Sequence, residues 1–138
     1  MVDVQEFISQ YRMLILSKCQ IDQNTDCLIW HGAISHTLYS KISYMYKIQC
    51  DDGTLKSCRH YTQAHRLIYA CVTNSLYLLD KAYRHIEISH LCHNRLCCNI
   101  IHLEAETKQM NSNRTKCKRQ SLCTDHDPPC ILFASKPN

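Results

Sequence analysis

The sequence predicts an α+β fold in a single domain, and three observations lead to this prediction. Apolar side chains recur at helical spacing near the start of the chain. The middle of the chain contains short runs of mixed polar and apolar residues, as strands do. Cys and His residues crowd the last third in two groups. Because Gly and Pro are too few to form a linker, we expect the 138 residues to form one unit, 1–138, with one modest core.

The first segment, residues 1–20, is predicted to be an amphipathic helix that serves packing or dimerisation. Its apolar stripe consists of Val4, Phe7, Ile8, Tyr11, Leu14 and Ile15. Asp3 and Glu6 come before any apolar run and no small-residue cleavage site follows, so the segment does not resemble a signal peptide. No apolar stretch approaches the roughly 20 residues that a membrane span needs. We therefore expect a soluble intracellular protein, nuclear or cytoplasmic, that is not secreted.

Residues 27–84 are predicted to form a scaffold of strands and one helix. Strand-like runs lie at 27–33, 39–50 and 54–60, and the turn signal Asp51-Asp52-Gly53 between the last two predicts a hairpin. The pattern over 61–72 predicts a helix packed against this sheet. His65 in that helix receives no role, because a single His on a packed helix is usually a structural residue.

The segment 85–114 is predicted to continue as strand, loop and helix. Ile86 and Ile88 alternate with polar neighbours, as in a short strand that ends at His90. Residues 104–114 contain good helix formers, with acids in the first turn and an arginine in the last, which complements a helix dipole. We therefore expect a helix over 104–114.

Two groups of Cys and His residues have the spacing of metal ligands. Cys92, Cys97 and His102 form the first group, and Cys117, Cys123, His126 and Cys130 form the second. Thiolates and imidazoles at short intervals let a loop wrap one Zn²⁺ ion. The chain has 11 Cys and 9 His, and a disulfide framework would have no use for the His. We therefore favour two structural zinc ions over disulfides.

A basic segment lies between these groups. Residues 108–119 contain five Lys and Arg and no acid, within a chain of net charge +4. Clustered cations of this kind bind phosphate backbones, since binding releases counterions. From charge alone, an ordinary solvated face explains the segment equally well.

The sequence SHLCHNRLCCNIIHL at 89–103, followed by Asn111, resembles the His-Cys box of nuclear homing endonucleases in the His-Me finger (ββα-metal, HNH-like) superfamily. The resemblance implies a small zinc-stabilised ββα-metal fold with an N-terminal helix and antiparallel sheet, in which 85–114 form the catalytic motif. It also implies that His90 is the general base and that Asn111 binds one catalytic Mg²⁺. The implied activity is hydrolysis of double-stranded DNA by a homodimer.

The resemblance extends to both zinc sites. It implies that Cys27 is the fourth ligand beside Cys92, Cys97 and His102, although Cys19 remains a competitor. It implies that the second group holds the C-terminal tail, 115–138. No ligand role follows for the other thiols, which are Cys50, Cys58, Cys71 and Cys98. Ile100 stands where related boxes commonly have Pro, which we expect to affect loop stiffness only.

The family also places a hairpin cation near the scissile phosphate. Lys56 and Arg59 are the candidates here, and Lys41 and Lys47 are weaker ones.

Two other functions compete with the nuclease. A catalytically inactive zinc-stabilised module for nucleic-acid binding or for adaptor contacts would have no need of His90 and Asn111, and a secreted disulfide protein would contain paired Cys and no metal.

Overall fold

The computed structural model describes residues 3–132, and within them the predicted α+β fold with antiparallel strand pairs is confirmed. The elements in chain order are α1 (Val4–Ser17), β1 (Cys19–Ile21), β2 (Leu28–Trp30), β3 (Ile42–Gln49), β4 (Leu55–Thr62), α2 (Ala64–Val72), β5 (Ile86–His90), β6 (Leu103–Thr107) and α3 (Lys108–Gln120). The strands pair as three antiparallel two-stranded sheets, β1 with β2, β3 with β4 and β5 with β6. Among the described helices, none is long and apolar enough to cross a bilayer.

Helix α1 is the amphipathic helix that the apolar spacing predicts. Asp3 caps it, because its carboxylate accepts a hydrogen bond from the backbone N–H of Gln5 at 2.9 Å. Phe7, Tyr11 and Ile15 form its buried face and pack into the main core. The hydroxyl of Tyr11 also accepts the backbone N–H of Met45 at 2.7 Å, which ties α1 to β3.

Strands β3 and β4 form the predicted hairpin around the turn at Asp51-Asp52-Gly53. Gly53 has φ of 82°, a left-handed conformation that favours glycine. The register pairs Ile42 with Thr62 at the base and Gln49 with Leu55 at the tip. At the base, one face of the hairpin packs into the core, while the other face remains exposed.

Helix α2 begins at Ala64 rather than at Tyr61. Tyr61 and Thr62 instead extend β4, because they pair with the first two residues of β3. The helix makes its most extensive contact with α1 and not with the hairpin. Its Arg66 donates hydrogen bonds to three backbone carbonyls, those of Leu78, Tyr83 and Ile86, at distances of 2.6–3.0 Å. This guanidinium therefore fixes the segment that leads into β5.

The prediction of a helix over 104–114 is wrong in its first turn. Residues 103–107 form β6 and pair with β5, Ser89 opposite Glu104 and Glu87 opposite Glu106. The helix starts only at Lys108, where the hydroxyl of Thr107 accepts the backbone N–H of Met110 at 3.2 Å. Pairing with a distant strand has overridden the helix propensity of Glu and Ala. The two acids therefore do not act on a helix dipole.

Strands β5 and β6 and helix α3 together form a ββα unit. The long connection between the strands, residues 91–102, carries most of the first Cys and His group. Ile88 of β5 and Leu103 of β6 pack into the main core among buried residues of α1, α2 and β3. The unit therefore holds the loop that contains Cys92, Cys97 and His102 against the apolar core.

Candidate metal centres and cleft

The first Cys and His group meets in a buried cluster of four ligand atoms. The members are Cys27, Cys92, Cys97 and His102, and their donor atoms all lie within 4.8 Å of one another. Nδ1 of His102 is 3.6 Å from Sγ of Cys27 and 3.4 Å from Sγ of Cys97. Zn–S and Zn–N bonds of about 2.3 and 2.0 Å at a tetrahedral angle place sulfur and nitrogen about 3.5 Å apart. The cluster therefore fits one zinc ion.

Cys27 completes this cluster, and Cys19 does not. The loop between β5 and β6 is hydrogen-bonded to the edge of β2. The backbone N–H of Trp30 donates to the carbonyl of Leu96, and that of Cys98 donates to the carbonyl of Leu28, each at 2.8 Å. This docking brings Cys27 beside Cys97. The thiol of Cys19 instead hydrogen-bonds to Cys98, which is buried but stands outside the ligand set.

The protonation of the first cluster reflects its crowding. A hydrogen bond from the Cys92 thiol, together with smaller contributions, lowers the pKa of Cys97 to about 5. The same contact and burial raise the pKa of Cys92 above its ordinary value. One thiolate is thus stabilised by its neighbours while the others resist ionisation. A divalent cation would stabilise all the thiolates together.

The second group forms another cluster of four ligand atoms at the end of α3. Nδ1 of His126 lies 3.2, 3.4 and 3.8 Å from Sγ of Cys117, Cys123 and Cys130. The four donor atoms lie within 4.8 Å of one another, so the cluster also suits a tetrahedral zinc ion. Arg114 approaches Cys130, with Nη1 donating to Sγ at 3.4 Å. Both clusters predicted from ligand spacing are therefore assembled.

A separate cleft of about 730 Å³ lies beside the ββα unit, and both His90 and Asn111 line it. His90 is not a member of either metal cluster. In the part of the chain that the structure describes, the buried side-chain nitrogens without a hydrogen-bond partner are Nε2 of His90 and Nε2 of His93. Both histidines line this same cleft.

His90 is held through one ring nitrogen, which leaves the other available. Its ring hydrogen-bonds to the backbone of Cys97, and the N–H of that residue already donates to Asn94, so the carbonyl is the acceptor. Burial lowers the pKa of His90 to about 4, against this hydrogen bond. The ring is therefore neutral, with its tautomer set by a backbone carbonyl and with Nε2 unpartnered.

Two aromatic rings pack around His90. The ring of His65 lies 4.2 Å away between centroids, and that of Tyr39 stacks at 6.4 Å. His65 is buried, and its Nδ1 lies 3.4 Å from the hydroxyl of Ser40. Burial, with His90 as a smaller cause, lowers the pKa of His65 well below its ordinary value. The sequence left His65 without a role, and the structure makes it a neutral packing partner of His90.

Asn111 contacts a residue that sequence reasoning missed. Its Nδ2 donates a hydrogen bond to Oε2 of Glu87 at 2.5 Å, and both side chains line the cleft. The two residues are 24 positions apart and belong to β5 and α3. No local pattern could have revealed this contact, because it arises only when α3 packs across β5.

The basic side chains at the cleft differ from those that the sequence favoured. Arg95 and Lys118 line it, and the guanidinium of Arg95 lies 5.3 Å from the ring centroid of Tyr39. Neither Lys56 nor Arg59 lines the cleft. These two residues lie on opposite faces of the hairpin, since Lys56 pairs with Ile48 and Arg59 with Met45. Arg114 of the basic segment is buried and faces inward.

All 11 Cys lie within the described residues and are unpaired, which does not support a disulfide framework.

The family model described as the zinc-binding loop region of homing endonuclease matches residues 27–137. This match covers both clusters and the cleft-lining histidines. Searches of curated proteins and of solved structures found no match.

Proposed function

This chain belongs to the homing-endonuclease family that is defined by that zinc-binding loop, and we propose that it is a metal-dependent DNA endonuclease. The observation that carries the proposal is the unpartnered Nε2 of His90, which shares a cleft with Asn111 and is excluded from both zinc clusters. A zinc module without activity would have no need of a histidine in this position.

His90 is proposed to be the general base. Its Nε2 would take a proton from a water molecule, whose oxygen attacks the phosphorus as the bond to the 3′ oxygen breaks. The hydrogen bond to the Cys97 carbonyl supports this role, because it holds the ring in the tautomer whose Nε2 accepts a proton. Packing against His65 keeps the ring from rotating.

Asn111 is proposed to hold one Mg²⁺ ion through its carboxamide oxygen. A neutral oxygen donor leaves most positions of the ion to water and phosphate, as Mg²⁺ prefers. The bound ion would supply charge compensation for the phosphate and for the departing oxygen. The fit rests on the oriented carboxamide, whose Nδ2 faces Glu87.

Duplex DNA is the proposed substrate. The net charge of +4 and the cations along the cleft suit a polyanion, and membership of a homing-endonuclease family suggests a DNA target. Of the two hairpin candidates, Arg59 is proposed to contact DNA away from the cleft, whereas Lys56 lies on the opposite face of the hairpin. A homodimer is proposed from the family resemblance. An intracellular location, nuclear or cytoplasmic, is also proposed, because unpaired thiols are typical of reducing compartments.

A zinc-stabilised binding module without cleavage is the second candidate. The matched family description favours it, since those words name a zinc-binding region and not a catalytic one. Cleavage separates the two functions directly.

The decisive experiment compares cleavage of duplex DNA with Mg²⁺ by the wild type and by His90→Ala. We expect wild-type cleavage and a loss of about 10²–10⁴-fold in the variant, with DNA binding retained. His85→Ala is the matched control, because His85 is exposed and immediately precedes the same strand. Equal cleavage by wild type and His90→Ala would remove His90 from the mechanism. A wild type that binds without cutting would favour the second candidate.

A second comparison tests the Mg²⁺ ligand. Asn111→Ala should lose activity and require more Mg²⁺, whereas Asn113→Ala, on the same helix, should behave as wild type. The side chain of Asn113 accepts a hydrogen bond from Gln109 within α3 and does not line the cleft. An unchanged Mg²⁺ requirement in Asn111→Ala would contradict the assignment.

A further inference from the structure

The contact between Glu87 and Asn111 determines how the carboxamide is oriented. An ionised carboxylate can only accept hydrogen bonds, so the group that faces Oε2 of Glu87 must be the Nδ2 amide of Asn111. The oxygen Oδ1 then points away from the carboxylate. Without this partner, the two ends of the carboxamide would be free to exchange by rotation, and only one of them binds a cation.

The charges around the cleft give Glu87 a second importance. Five cations line the cleft, namely Arg66, Lys81, Arg84, Arg95 and Lys118. The acids that line it are Asp80 and Glu87. Asp80 accepts the backbone N–H of Ala82 at 2.8 Å at the start of a 3₁₀ turn. Glu87 is therefore the carboxylate that directly adjoins the carboxamide of Asn111, in surroundings that otherwise repel a divalent cation.

We infer that Glu87 is the positioning residue of the divalent-cation site at Asn111. Its carboxylate holds the carboxamide with Oδ1 available to the ion and offsets the positive charge of the cleft. This inference rests on the proposed function in one respect, that Asn111 is the residue which binds the ion. It extends that function by joining β5 and α3 into one preorganised site, where the family resemblance implies Asn111 alone.

The test is Mn²⁺ binding to the zinc-loaded protein without DNA, followed by the EPR signal of free Mn²⁺. We expect Glu87→Ala to weaken binding by about 10- to 100-fold, as loss of a residue that orients a metal ligand usually does. Glu87→Gln should lose less, because its amide oxygen can still accept the hydrogen bond from Asn111. Glu104→Gln is the matched control, since Glu104 lies on the paired strand outside the cleft. Each variant should retain two zinc ions, which verifies folding.

A double-mutant cycle separates positioning from an independent effect. If Glu87 acts through Asn111, the loss of Mn²⁺ affinity in the variant with both residues changed to Ala should be clearly smaller than the sum of the two single losses. Unchanged binding in Glu87→Ala, fully additive losses or a wild type that binds no Mn²⁺ would overturn the inference. The outcome is independent of cleavage: a protein that binds Mn²⁺ as expected yet leaves DNA intact would refute the nuclease and not the role of Glu87.

Discussion

Arg114 of α3 and Glu106 of β6 form a buried ion pair, with only 1% and 7% of their side chains exposed. Nε of Arg114 donates to both carboxylate oxygens, at 3.0 and 2.8 Å. Ser89 of β5 donates to the same carboxylate at 2.6 Å. The pair therefore joins all three elements of the ββα unit behind the cleft, and it connects them through Arg114 to the second metal cluster.

Removing one member of this pair should destabilise the protein strongly. We expect Arg114→Ala to lower the free energy of unfolding by about 3–5 kcal/mol, because it leaves the carboxylate of Glu106 buried without its partner. Urea unfolding at constant zinc concentration measures the loss. Arg119→Ala, an exposed change on the same helix, should stay within about 0.5 kcal/mol of wild type. Similar losses in both variants would show that the pair is not a special contact.

The same pair should make stability depend on pH. Burial acts to raise the pKa of Glu106, but hydrogen bonds from Arg114 and Ser89 outweigh it and lower that pKa below its ordinary value. A lowered pKa means that the ionised carboxylate stabilises the fold above the unfolded-state pKa of about 4.3, and that this contribution disappears as pH falls through the folded-state pKa.

The measurement is the difference in unfolding free energy between wild type and Glu106→Gln. This difference should be constant from neutral pH down to about 5 and should shrink below that, since the variant cannot titrate there. Protonation of the thiolates in acid would release zinc from both proteins alike, so the comparison cancels that common effect. A difference that grows as pH falls would reverse the assigned direction of the pKa shift.

Zinc content distinguishes Cys27 from Cys19. The wild type should contain two zinc ions per chain by elemental analysis, because two four-donor clusters are assembled. Cys27→Ser should retain about one, since three ligands hold Zn²⁺ less tightly than four. Cys19→Ser should keep two, because Cys19 contacts Cys98 and not the cluster. Loss of zinc from Cys19→Ser alone would exchange the two assignments.

The two faces of the β3–β4 hairpin should contribute unequally to DNA binding. Lys47 and Arg59 share the exposed face, on which Arg59 pairs with Met45, whereas Lys56 lies on the opposite face. A two-stranded ribbon fits the major groove with one face. We expect the double variant Lys47→Ala/Arg59→Ala to lose about two phosphate contacts. The slope of log K for DNA binding against log salt concentration should then become less steep by about 0.9 for each lost contact.

Lys56→Ala is the control for that measurement, with the slope taken from binding titrations at several salt concentrations. It should leave the slope close to that of wild type. A larger change in Lys56→Ala than in the double variant would place DNA on the other face of the hairpin.

Local spacing was enough to predict most members of the two Cys and His clusters. Cys92, Cys97 and His102 lie in one loop, and the second group lies in one short tail, so each set is close in space because it is close in sequence. The hairpin and α1 were also predictable, since an apolar stripe and a turn signal are local features. Cys27 was implied only by family resemblance, because its approach depends on β2 pairing with a distant loop.

The helix expected over 104–114 failed for a related reason. Glu104 and Glu106 favour a helix by intrinsic propensity, but backbone pairing with β5 supplies more stabilisation than that preference. The sequence contains no local sign of this pairing, since the partners are separated by the metal-binding loop. Glu106, which was expected in the first turn of a helix, instead lies in β6 and forms a buried ion pair with Arg114.

The sequence by itself determined the chemistry that is available: two sets of Cys and His residues with the spacing of zinc ligands, a histidine outside them and an asparagine further along the chain. Only the tertiary structure decided which groups meet. The packing of His65 of α2 against His90 of β5 and the hydrogen bond from Asn111 of α3 to Glu87 of β5 each join two different elements. Such contacts depend on strand register and helix packing. Both are set by how all the elements pack around the core, so no short segment of the sequence predicts them.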